Sequence, residues 1–116
     1  MFAADFLTHS APPGAPPTRE GLKQTNLAIR AALPDIQSAV EDVIAEGDEV
    51  VWHWSARGTH RAPLLGLPAT GKQITITGIT IDRIAGGQIA ERWDQVDMLG
   101  LMQQLGAIPA PGQAPT

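Results

Sequence analysis

Two carboxylates late in the chain, Asp94 and Asp97, and the imidazoles of His9, His53 and His60 are the side chains here best suited to moving a proton near neutral pH. Asp97 follows Trp93 by four residues, a spacing that returns to one face of a strand. Burial beside an indole disfavours a charged carboxyl, which suits proton exchange with an acidic carbon. Asp97 also directly precedes the run MLGLMQQLG, where aspartate is a favoured helix N-cap, and the two roles are compatible. Asp94 has the opposite parity and shares its face with Arg92, so a surface ion pair is its expected use.

His60 closes the run RGTH and His9 closes DFLTH. At strand ends these imidazoles can bond a substrate carbonyl, shuttle a proton or simply bond loop backbone. His53 shares its face with Ser55 and Arg57 and is expected on the outer side of a sheet. The histidine spacings lack the i, i+4 or facing-strand pairs of a metal site, so no metal is expected. There is no cysteine, hence no thiol nucleophile and no disulfide scaffold. No Walker loop, G-x-G-x-x-G or G-x-S-x-G occurs, so no cofactor is expected either.

Trp52 and Trp54 project to one side of their segment with Val50 and Ala56, a wall that either fills a core or lines a pocket for a flat aromatic molecule. Asn26 lies within the apolar stripe of Leu22, Ile29 and Leu33, where an amide left without a partner costs about 1–3 kcal/mol. Trp52, Trp54, Trp93, Asn26, Leu22 and Ile29 are therefore the candidate substrate-binding residues.

The elements that must position these groups follow from periodicity. Thr18 caps a helix over 18–33 with Glu20 in its first turn, and Pro34 ends it. A proline-rich stretch at 11–17 precedes it as a rigid loop. Then come strands over 39–45, 49–60, 74–84 and 88–96. Hairpin turns at Gly47-Asp48 and Gly86-Gly87 join the first pair and the last pair. Gly58 and Gly78 inside strands are expected to mark bulges or bends. Residues 98–105 read as a short helix. The domain is expected over 1–109, with a proline-rich tail at 110–116. A helix followed by hairpin-connected strands is α+β: a curved antiparallel sheet with helices forming a cone around an enclosed apolar hollow.

The chain has 116 residues and a net charge of −4, and its basic residues are scattered. Nucleic acid is therefore not an expected partner. Apolar runs are too short to span a membrane and the start lacks a signal-peptide pattern, so a cytoplasmic protein is expected.

The segments DFLTH (5–9), PPGAPPTREGLKQ (12–24), ALPDI (32–36), VEDVIAEGDEVVWHWSARGTH (40–60), GLPATGK (66–72) and ERWDQVDMLGLMQQLG (91–106) occur in that order. As a set they resemble the SnoaL-like polyketide cyclases, also called ester cyclase-like, of the nuclear transport factor 2-like superfamily. The resemblance implies a homodimer joined through the outer sheet face. It also implies ring closure of an aromatic polyketide by intramolecular aldol condensation, without metal or cofactor. By its place in the pattern W-x-x-x-D-x-x-G-L, Asp97 becomes the implied general acid/base, with His60 and His9 near the cone mouth. The long first helix of that family is missing ahead of DFLTH. Two readings follow: a cyclase or isomerase acting on an enolisable polyketide-like substrate, or a non-catalytic module binding a small hydrophobic ligand or a protein partner.

Overall fold

The computed structural model describes residues 2–11, 14–64 and 66–107; the tail expected at 110–116 lies outside them. The order is β1 (Phe2–Thr8), α1 (Arg19–Ala32), β2 (Gln37–Glu46), β3 (Glu49–Thr59), β4 (Gln73–Ala85), β5 (Gln88–Val96) and α2 (Met98–Leu105). The fold class is α+β, as the sequence implies. Thr18 caps α1 by accepting the Gly21 N–H, which satisfies one of the donors that a helix start leaves without a partner.

The five strands lie in the order β1-β5-β4-β3-β2. β2 to β5 form an antiparallel meander, but β1 runs parallel to β5, so the sheet is mixed rather than antiparallel throughout. The reason is topological: β1 reaches β5 only across the whole intervening chain, and such a connection permits a parallel pair where a hairpin does not.

Register assigns the two faces. Trp52 faces Thr80, Trp54 faces Gly78 and Ala56 faces Ile76 across β3 and β4. Thr80 faces Asp94 and Asp82 faces Arg92 across β4 and β5. These residues share the inner face, because directly opposed side chains point the same way. At one end of that face Ile74 and Ile76 pack with Ala32, Leu33, Leu64, Leu101 and Leu105, a core that α1 and α2 close.

Gly58 and Gly78 do not mark bulges, since the β3–β4 register runs unbroken past both. The bulges lie between Val40 and Asp42 and between Arg83 and Ile84. Close approach explains both glycines instead. A Cβ on Gly78 would come within 2.5 Å of the Trp54 ring, and one on Gly58 within 3.1 Å of Leu33 Cβ.

The hollow is not enclosed. The sheet is open, α1 lies against β1 and α2 against β4, and β2 is exposed along its whole length. Val40 and Val43, opposite Trp54 and Trp52 on the inner face, remain 58% and 54% exposed.

Candidate functional site

Beyond the apolar core, the inner face turns polar. The even-numbered positions of β4 read Ile74, Ile76, Gly78, Thr80, Asp82, and Thr80 and Asp82 are buried at 1% and 4% exposure. A buried hydroxyl and a buried carboxylate need partners, and the facing strands supply them.

Asp82 is saturated. Its Oδ1 accepts Arg92 Nε at 2.7 Å, and its Oδ2 accepts both Arg92 Nη2 and Trp52 Nε1 at 3.0 Å. The Arg92 guanidinium lies 5.2 Å from the Phe2 ring centroid and 5.7 Å from that of Trp52. A two-pronged ion pair between apolar rings is stiff, and it holds both oxygens of Asp82 as acceptors.

Asp94 is different. Trp54 Nε1 donates to Thr80 Oγ1 at 2.9 Å, so the Thr80 hydrogen points onward to Asp94 Oδ1. Behind it, Ser10 Oγ accepts the Asp94 N–H at 2.9 Å and fixes the backbone. Oδ2 of this half-buried side chain has no hydrogen-bond partner among the described residues. The arrangement is one oriented carboxylate with a spare oxygen, beside two indoles.

The other candidates sit elsewhere. Asp97 is exposed, and its Oδ1 accepts the Gly100 N–H at 2.9 Å as the N-cap of α2. Trp93 points outward and stacks on His9, with ring centroids 4.7 Å apart and planes 13° from parallel. Trp93 and Asp97 thus do not join the inward layer, because the β4–β5 register turns Arg92, Asp94 and Val96 inward instead. His9 Nε2 meets Glu91 Oε2 at 2.8 Å, and Glu91 also takes Arg83. The His9 contact first and the Arg83 contact second hold the Glu91 carboxyl below the ordinary value.

His60 is fully buried, and Thr70 holds its Nδ1 through both hydroxyl and N–H. Its backbone is tied to Gly71 and Lys72, so the ring is locked into the 61–72 loop. None of these bonds reaches Asp82, Arg92 or Asp94. His53 is exposed on the outer face of β3, while Ser55 there bonds Glu41. Leu22 and Asn26 line an open groove of about 490 Å³ with Phe2 and Leu27, whereas Ile29 packs against the core.

Sequence reasoning passed over Thr80, Asp82 and Arg92 and assigned Asp94 to a surface pair. A signal was present. In ITITGITIDRI the isoleucines hold even positions before Gly78 and odd positions at 79 and 81, so the apolar phase flips at that glycine. Since the register does not slip, the flip delivers Thr80 and Asp82 inward and leaves Ile79 and Ile81 outward. Among the described residues, no group of three or more His, Asp and Glu is arranged to hold a metal. Among the described residues, no helix is long and apolar enough to cross a membrane.

Among curated proteins, none matches the sequence significantly. Among solved structures, TsrD from Streptomyces laurentii superposes with a TM-score of 0.84 at 29% identity, over 92% of this chain and 78% of its own. IdmH from Streptomyces antibioticus, described as a candidate polyketide cyclase, gives a TM-score of 0.77 at 33% identity, over 91% of this chain and 82% of its own. A candidate polyketide cyclase from Bacillus cereus gives 0.78 at 34% identity, over 90% of this chain and 64% of its own. The model of the SnoaL-like polyketide cyclases matches residues 1–105, which takes in every strand and both helices. With its sheet, its helices and its inward layer all inside that match, the chain belongs to the SnoaL-like polyketide cyclase family.

Proposed function

We propose that the protein is a cofactor-independent cyclase or isomerase for an enolisable, polyketide-like small molecule, with Asp94 as the general acid/base. One observation carries this reading: Asp94 keeps Oδ2 free on the inner face while the Trp54–Thr80 relay orients Oδ1. A base must be held in hydrogen-bond reach of the proton it takes, and an oriented carboxylate among indoles meets that need. Membership of the family supports the small-molecule role in general. The acid/base role expected of Asp97 suits Asp94 better, because Asp97 is exposed at the α2 cap while Asp94 lies in the inward layer facing Thr80.

Trp52 and Trp54 are the wall against which a flat ring would lie, with Leu22 and Asn26 at the neighbouring groove. A non-catalytic binding module is the second reading, and the exposure of Val40 and Val43 on the inner face favours it. The family resemblance also suggests a homodimer through the outer face. An outward cross-strand row of Ile44, Val51, Ile81 and Trp93, exposed at its two ends and half-buried between, supports that arrangement.

The deciding experiment is deuterium uptake at the α-carbon of an aryl β-keto ester in heavy water, followed by NMR. Exchange above the buffer rate that falls about a hundred-fold or more in Asp94→Asn supports the enzyme. Exchange unaltered by that substitution removes Asp94 from the mechanism. Tight ligand binding with no exchange selects the binding module.

A further inference from the structure

Arg92 stands two residues from Asp94 on the same inner face of β5, about 6.6 Å along the strand. Its Nε and Nη2 are committed to Asp82, but Nη1 makes no hydrogen bond among the described residues. That nitrogen is not sealed in either: among the described residues the buried side-chain atom left without a partner is His60 Nε2, in the loop after β3. The guanidinium cannot swing, because Asp82 grips one edge while Phe2 and Trp52 flank it. The result is a fixed pair of N–H donors in a partly dehydrated setting, two residues along the same face from a carboxylate with one free oxygen.

We propose that Arg92 is a catalytic residue that binds the carbonyl oxygen of the substrate through Nη1 and stabilises the enolate formed when Asp94 takes the α-proton; this rests on the acid/base reading of Asp94. The step balances within the site. The proton leaves the α-carbon for Asp94 Oδ2, the C–H electron pair becomes the enolate double bond, and the carbonyl π pair settles on oxygen. Before the step Asp94 carries the negative charge next to Arg92; afterwards the enolate does. The total charge of Asp82, Arg92, Asp94 and substrate stays constant, so the developing charge meets donors already in place. The ligand class follows: a planar carbonyl compound whose acidic carbon lies next to the carbonyl, with an apolar body for Trp52 and Trp54.

The test measures binding in Asp94→Asn, which mimics the protonated carboxyl that coexists with an enolate. The probes are the hydroxynaphthoquinone lawsone, a planar enolate at neutral pH, and its neutral methyl ether, both followed by tryptophan quenching. A charge-assisted bond at Nη1 predicts lawsone binding about ten-fold tighter than the ether. That preference disappears when Arg92→Gln is added together with Asp82→Asn, a pairing that leaves no unmatched buried charge. Should that triple variant not fold, the Nη resonances of Arg92 in Asp94→Asn serve, shifting with lawsone and not with the ether. Equal binding of the two probes, a preference that survives loss of the guanidinium, or unmoved Nη resonances overturns the role of Arg92 and leaves the acid/base reading of Asp94 standing. Binding of neither probe overturns a ligand site on this inner face and the role of Arg92 together.

Discussion

The indole of Trp54 lies directly over Gly78 on the facing strand, so close that an added Cβ would sit 2.5 Å from its Cζ2. Glycine at 78 is thus what lets Trp54 lie flat and reach Thr80. Gly78→Ala is expected to lower stability by about 1–3 kcal/mol, the usual scale of overpacking a fitted site. Urea titration measures that loss, and a shift in tryptophan emission reports the displaced ring. An alanine variant with unchanged stability and emission would show that the ring has room to spare.

Asp97→Ala separates capping from catalysis. Removing the cap of α2 costs about 0.5–2 kcal/mol. The urea midpoint should move accordingly, while α-proton exchange per folded molecule persists. Loss of exchange with an intact midpoint would return the proton to Asp97.

Asp82→Asn breaks one half of a pair whose side chains are 6% and 13% exposed for Asp82 and Arg92. The stranded guanidinium should cost about 3–5 kcal/mol. Thermal and urea unfolding both measure it. A drop below one kilocalorie would mean that water already reaches the pair.

Acid weakens two contacts, one at the β1–β5 edge and one between β3 and the segment before β2. Glu91, held below its ordinary 4.5 chiefly by His9 and then by Arg83, and Asp35, held below 3.8 chiefly by the Thr59 backbone N–H, both favour the folded state when charged. A lowered folded value means the contribution is whole above the ordinary value and is lost as pH falls through the folded one. Stability should therefore decline with pH below about 4.5, and less steeply in Glu91→Gln. Equal slopes for the two proteins would exclude Glu91.

The outer row predicts association. Ile44, Ile79 and Trp93 are 63%, 50% and 36% exposed beside the half-buried Val51 and Ile81. Ile81→Lys should convert a dimer to a monomer in light scattering. A protein that is monomeric before the change refutes the interface.

Much of this was readable in the residues. Thr18 and Pro34 bound α1, the paired turns set the meander, and the segments over 88–96 and 98–105 coincide with β5 and α2. The parallel seat of β1 was not, because it depends on contacts between the two ends of the chain rather than on local pattern. The inward layer escaped for a different reason. Trp93 is the bulkiest residue of its strand and was taken to mark the inner side, yet its ring finds cover on His9 outside. Only the phase change at Gly78 tells the two faces apart, and it requires reading β4 and β5 in register.

The strand carrying Arg92 and Asp94 takes its hydrogen bonds from opposite ends of the sequence, β4 on one flank and β1 on the other. During synthesis β1 emerges first and must wait for nearly the whole chain before its neighbour exists. Loop closure of that length is a slow event, so the β1–β5 seam, behind Asp94, is the one expected to zip last.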